Sequence, residues 1–327
     1  MALHRNLSIS IALLSTFPLM AGCENGPAIT GSFDRNYNVS GPIRIELTNA
    51  SGDVSITGSA DGKVHVHADV RASGMGFDKP QKRLNDIVSN PPVEQRGDTI
   101  RIGKDMSRMS NLSIFYTIQV PRDTEVSSNL VSGAQTIRGV RGPVKAQSAS
   151  GTIRAENIER DTQLTTISGS VSASDIGDDV RISTASGNVD VSNIKGDVHA
   201  KAMSGVIRVY KPGARVEVEA GSGEVEIHGA TADVQAHAGS GRVSVQGNPG
   251  ADNFWELKTL SGGVQLGVPA NANLHLSAEA TSGEIRTDVP IVVEEQGKHS
   301  LRAHMGSGGG RVDVHTVSGE IRVTGAN

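Results

Sequence analysis

Cysteine is nearly absent from the 327-residue chain. Cys23 is the only one, so no intramolecular disulfide can form and an exported domain must be held by packing and hydrogen bonds. Aromatic residues make up 3%, and the apolar content is mostly Val, Ile and Ala, which suits a narrow core of stacked small side chains and argues against a wide globular one. Charge of one sign is lacking too. A net charge of -4 with interspersed signs supplies neither a basic stripe for nucleic acid nor an acidic tail. There is no Gly-x-Ser-x-Gly elbow, no His-Glu-x-x-His and no P-loop, so the sequence predicts neither a catalytic residue nor a cofactor.

What is abundant is glycine, 39 residues of it, and much of it is periodic. Ser-Gly recurs at Ser132-Gly133, Ser150-Gly151, Ser168-Gly169, Ser186-Gly187, Ser204-Gly205, Ser222-Gly223 and Ser240-Gly241, a constant step of eighteen residues. A fixed period of this length is the signature of a solenoid. Within the coil that begins at Ser186, the apolar positions are Val189, Val191, Ile194, Val198, Ala200 and Ala202. They mark two strands of period two per coil, with apolar side chains inward and polar ones outward. The predicted fold is therefore all-β, a parallel β-solenoid with one turn at Ser-Gly and the other near Ile194-Lys195-Gly196-Asp197. Glycine in each pair suits positive φ. Its serine can satisfy a turn backbone group or form a ladder with the serines of adjacent coils.

The period changes towards both ends. After Ser240 the step becomes twenty-one residues, giving Ser261-Gly262 and Ser282-Gly283, with the opposite turn lengthened at Asn248-Pro249-Gly250 and at Pro269-Ala270-Asn271. Trp255 falls in the inward column with Leu257 and Thr259, as filler of a wider coil. The last coil runs from Arg311 to Val323. In the N-terminal third, Ile43, Ile45 and Leu47 alternate before Ser51-Gly52, so the solenoid starts there in a less regular form. Residues 79–89 carry Leu84, Ile87 and Val88 at helical spacing between Pro80 and Pro91-Pro92, with Asp78 as a cap. They predict one short helix, placed to cover the open end of the solenoid.

The first residues are a different kind of sequence. His4 and Arg5 precede an apolar run from Leu7 to Met20 that is too short and too interrupted for a membrane span. Leu19-Met20-Ala21-Gly22 followed by Cys23 resembles the lipobox of bacterial lipoproteins, which implies cleavage before Cys23 and lipidation at that residue. Acyl chains buried at roughly 0.8 kcal/mol per methylene would anchor the protein in the membrane without a transmembrane helix. Glu24 does not look like an inner-membrane retention signal, which points to the outer membrane. The expected organisation is a signal peptide over 1–22, a lipidated tether over 23–31, an irregular β part over 32–131 and regular coils over 132–327, the last two forming one domain.

Three places could carry chemistry. Asp161, Asp179, Asp197 and Asp233 share one column, interrupted by Arg215; stacked carboxylates can bind a cation, but aspartate also suits a turn, and no metal is predicted. His65 and His67 share a strand face without a matching cluster of further ligands. The run from Gly306 to Gly310 lacks the following helix that a phosphate cradle needs.

The phrases Val317-Ser318-Gly319-Glu320-Ile321-Arg322-Val323 and Gly308-Gly309-Gly310-Arg311-Val312-Asp313-Val314, with the recurring coils and Val120-Pro121, resemble a bacterial adhesin-like family of β-strand-repeat proteins of unknown function, over residues 33–327. The resemblance implies the fold and carries no catalytic residues. The expected function is that of a non-catalytic, lipid-anchored scaffold in the cell envelope, presenting an adhesin-like surface to an envelope protein or glycan. The alternatives are a carbohydrate-active β-helix enzyme, which needs carboxylates gathered in a cleft, and an envelope-stress component.

Overall fold

The computed structural model describes residues 28–73, 79–103 and 111–326. The signal sequence, the lipobox, Cys23 and the Asp78 cap lie outside the described residues.

Twenty-seven strands and one helix follow one another along the described residues. At the N-terminal end these are β1 (Ile29–Asn38), β2 (Ile43–Ser51), β3 (Val54–Ser59), β4 (Lys63–Ala72), α1 (Pro80–Ser89), β5 (Val93–Arg96), β6 (Thr99–Ile102) and β7 (Leu112–Pro121). Strand β1 takes in residues 29–31, which the sequence pattern assigns to the tether, because Ile29 to Asn38 pair along their whole length with β4. The coils then proceed as pairs of strands: β8 (Thr124–Ser132) and β9 (Gln135–Arg138), β10 (Val144–Ser150) and β11 (Ile153–Ile158), β12 (Thr162–Ser168) and β13 (Val171–Ile176), β14 (Val180–Ser186) and β15 (Val189–Ile194). In the next two coils the pairing runs through the Ser-Gly corner, giving β16 (Val198–Pro212) and β17 (Val216–Ala230). Then come β18 (Val234–Ser240) and β19 (Val243–Gly247), β20 (Phe254–Ser261) and β21 (Val264–Val268), β22 (Leu274–Ser282) and β23 (Ile285–Thr287), β24 (Val292–Gln296), β25 (Ser300–Met305), β26 (Gly310–Ser318) and β27 (Ile321–Gly325).

Between β8 and β20 each coil stacks in parallel on the preceding one, so that equivalent residues of successive coils lie over one another. Ile153, Val171 and Val189 form one such column. The column of Val180, Val198, Val216 and Val234 runs beside it. All of these side chains are fully buried. At about 25 cal/mol per Å² of apolar surface removed from water, such columns supply most of the stabilisation, and each coil depends on its neighbours for it.

The ends depart from sequence order. Coil β2–β3 stacks on β8–β9, with Ser51 on Ser132, but β6 lies on the other side of β2 and β7 on the other side of β3. A segment met earlier in the chain is thus clamped between two later ones. At the far end, β26–β27 insert between β20–β21 and β22–β23, so Ser318 lies between Ser261 and Ser282. The two coils expected to be consecutive, at Ser261 and Ser282, are therefore separated by the last segment of the chain. Antiparallel strands finish both ends: β4 on β7 and β1 on β4 at one, β25 on β22 and β24 on β25 at the other.

Helix α1 begins with Pro80 in its first turn and buries Leu84 and Ile87. It packs on β1 and β4, where Gly31 leaves room: a Cβ there would lie 3.2 Å from both Leu84 and Val88. Trp255 is fully buried, as its column predicts, and its indole N–H donates to the Ala232 carbonyl at 2.7 Å.

Candidate functional site

The Ser-Gly ladder forms one corner of the solenoid. Gly133, Gly151, Gly169, Gly187, Gly205, Gly223 and Gly241 have φ between 123° and 142°, a region that a side chain strains. A Cβ on any of the six that follow Gly133 would also run into the carbonyl of the ladder glycine one coil below. The bond that joins successive corners is main-chain: the Gly151 N–H donates to the Ser168 carbonyl at 2.9 Å and the Gly169 N–H to that of Ser186 at 2.9 Å. The ladder serines of the regular coils are exposed, and the one hydroxyl-to-hydroxyl bond of this corner among the described residues joins Ser51 to Ser113 at 3.1 Å.

The aspartate column is absorbed by the coil backbone. Asp179 Oδ1 accepts the Asp197 N–H at 2.9 Å, Asp197 Oδ1 accepts the Arg215 N–H at 3.1 Å, and Asp233 Oδ1 accepts the Phe254 N–H at 2.9 Å. These carboxylates therefore staple each coil to the next. His65 bonds to Asn36 and Asp61, and His67 to Asp34 at 2.8 Å, which raises the His67 pKa. Among the described residues no group of three or more His, Cys, Asp or Glu is placed to hold a metal ion. Outward carboxylates are spanned by cations from neighbouring positions, as Glu156 is by Arg138, Glu159 by Arg141, and both Asp190 and Glu226 by Arg208.

The surface feature that sequence reading missed is the residue just before each corner serine. In spatial order this column reads Ala50, Val131, Ala149, Ile167, Ala185, Met203, Gly221, Gly239, Leu260, Val317 and Thr281. Its large members are open to solvent: Val131 is 49% exposed, Ile167 63%, Met203 71%, Leu260 64% and Val317 38%. Strand alternation hides it, because the position before it is already inward and the chain turns immediately after. The signal was nevertheless present in the sequence as an apolar residue ahead of most of the Ser-Gly pairs.

Where the column shrinks to Gly221 and Gly239, a groove of about 920 Å³ opens. The glycines are needed here for close approach of the coils, since a Cβ on Gly221 would lie 2.7 Å from the Met203 carbonyl oxygen and one on Gly239 2.6 Å from that of Gly221. Met203 and Leu260 wall the two ends, three coil steps or about 14 Å apart, and Ala220 and Ala238 lie in the floor. Along one rim stand Lys201, Glu219, His237 and Lys258. Lys201 bonds to Glu219 at 2.9 Å, which holds its ammonium pKa above the ordinary value; His237 and Lys258 both bond to Glu256, whose pKa is lowered, chiefly by Lys258. This charged rim is internally neutralised, and between it and the corner serines Ser204 and Ser222 the side chains of Met203, Ala220, Ala238 and Leu260 are aliphatic. No histidine hydrogen bond among the described residues reaches a serine hydroxyl.

A second groove, of about 900 Å³, follows the opposite turn. It is lined by Asn157, Asp175, Asn193 and Lys211, all at φ between 51° and 56°. Asn and Asp tolerate this left-handed region, and Asn193 donates to Asp175 at 3.1 Å. These side chains serve the turn.

The model of the Toastrack DUF4097 family matches residues 44–247 and again 211–324. No curated protein matches the chain. Among solved structures it is similar to a candidate cell adhesion protein from Clostridium sporogenes, with 9% identity and a TM-score of 0.22 over 90% of this chain and 100% of that one. It is also similar to a candidate adhesin from Bacteroides fragilis, with 13% identity and a TM-score of 0.26 over 90% of this chain and 97% of that one. Neither superposes closely enough to carry a function across.

Proposed function

We propose that this chain, which belongs to the Toastrack DUF4097 family, is a non-catalytic, lipid-anchored protein of the cell envelope whose Ser-Gly corner is a protein-binding surface. The observation that carries this reading is the row of exposed aliphatic side chains from Val131 to Val317, broken by the groove between Met203 and Leu260. Solvent-exposed apolar residues scattered singly need no explanation, but five large ones aligned along one corner of a polar coil do. Aliphatic walls favour the apolar side chains of a protein over a glycan, which needs polar groups aimed into the site. The anchor rests on Leu19-Met20-Ala21-Gly22-Cys23, and labelling with a fatty acid should depend on Cys23; labelling that survives C23A rules the anchor out.

The binding surface is tested by a photo-crosslinking side chain at Met203, with an identical one at Ser174 on an outward strand position as control. A defined protein adduct at 203, lost with I167D and absent at 174, supports the reading. Equal adducts at both positions, or none at 203 in a folded protein, overturn it.

A further inference from the structure

We infer that the partner of the apolar corner is a second copy of this chain, packed antiparallel along the same column. The inference rests on the reading of that corner as a protein-binding surface and names its occupant. The corner alternates by size at each coil step: Ala50 small, Val131 large, Ala149 small, Ile167 large, Ala185 small, Met203 large, then Gly221 and Gly239. A surface that alternates large and small at a fixed step is complementary to its own reverse, provided the two-fold axis falls between coils. With the axis midway between Ile167 and Ala185, Ile167 faces Ala185 of the second copy, Ala149 faces Met203, Val131 faces Gly221 and Ala50 faces Gly239. Every large side chain meets a small one over eight coils, about 34 Å at the strand spacing.

The flanking columns agree with this register. A two-fold of this kind brings each flank against its own reverse. On the strand side, two residues before the corner, Lys201 then faces Gln147, Glu219 faces Asn129 and His237 faces Thr48, with Thr165 against Ser183. On the other side, two residues after each serine, Asp53 faces Arg242 and Glu224 faces Ala134. No like charges oppose, and one opposite pair forms. Shifting the axis by one coil towards the C-terminal end sets Val131 against Leu260 and Asp53 against Glu320, a steric clash and a like-charge pair. Size and charge thus independently exclude that shift, and the register centred between Ile167 and Ala185 is the one that also seats Val131 at Gly221 and pairs Asp53 with Arg242.

The test uses the chain from Cys23 onward with Cys23 replaced by Ala, which leaves no other thiol. Cysteines at positions 149 and 203 of one chain lie three coils apart, too far to bond to each other, but face each other across the two-fold. A149C/M203C should therefore give a disulfide-linked dimer on mild oxidation, whereas A149C/L260C, mismatched in this register, should not. Sedimentation equilibrium of the protein without added cysteines should show reversible dimers, and I167D, on an exposed position, should weaken them about tenfold or more. Equal cross-linking of matched and mismatched pairs, or a monomer at all concentrations with no matched cross-link, overturns the inference. An adduct between Met203 and a different protein, with no self-linking, would leave the binding surface standing and remove the dimer.

Discussion

The middle of the solenoid and its two ends are built from the same coil but are held by different logic. From Thr124 to Ser261 each coil rests on the previous one in the sequence. At both ends a coil is inserted between partners that are distant in sequence: β2–β3 between β6–β7 and β8–β9, and β26–β27 between β20–β21 and β22–β23. In the middle, contacts are short-range and modular, as in other one-dimensional stacks. At the ends, removing one segment strands another. The clamps close a fold whose terminal coils would otherwise present open strand edges.

Truncation tests this difference most severely. A chain ending at residue 309 loses β26 and β27, so β22 to β25 lose the surface on which they stack; limited proteolysis should release or degrade everything after about residue 268. Deleting Gly187 to Ser204, one whole coil, should by contrast leave a shorter protein with a cooperative thermal transition. Deleting only nine of those residues reverses inward and outward positions and should abolish folding. Equal tolerance of the two internal deletions would refute the coil register.

Single substitutions give smaller effects on the same scale. Trp255→Ala, where the coil widens towards the C-terminal clamp, should cost about 3–5 kcal/mol in chemical denaturation, as loss of a fully buried large side chain does. Asp233→Ala removes the acceptor of the Phe254 N–H and a partner of Arg215 and should cost about 1–3 kcal/mol. The backbone bond from Phe254, the largest cause, lowers the Asp233 pKa. Its contribution is therefore complete above the unfolded value near 3.8 and is lost as pH falls through the lower folded value. A difference between wild type and variant that grows on acidification would contradict this sign. The smallest change is Ser148→Ala in the second full coil, where the buried hydroxyl has no hydrogen-bond partner; removing it should be neutral or stabilising by up to about 1 kcal/mol, read as a shift in melting temperature.

Much of this is legible in the sequence because the repeat is strict. The column of Val189 and the burial of Trp255 follow from alternation alone, and the helix follows from Pro80 with Leu84 and Ile87 at its spacing. Other features are not accessible in that way. The serine hydroxyls could have formed a ladder, yet the corner is joined through main-chain bonds, which any residue could make. The aspartates admit two readings, and only the bonds from the Asp197, Arg215 and Phe254 amides decide for stapling. The apolar corner is visible as letters before most of the Ser-Gly pairs. Its exposure is not, because the sequence pattern assigns side chains to a face only while the strand continues, and this position is where it stops.

The sequence alone determined the coil, its two strands, its glycine corner and the inward columns, because an eighteen-residue step with period-two strands leaves one way to bury the apolar side chains. Tertiary structure alone decided the order of the coils at either end and the groove between Met203 and Leu260. A repeat says what can stack on what, but chemically equivalent coils compete for the same neighbour; which one wins depends on the turns and antiparallel caps that close the ends.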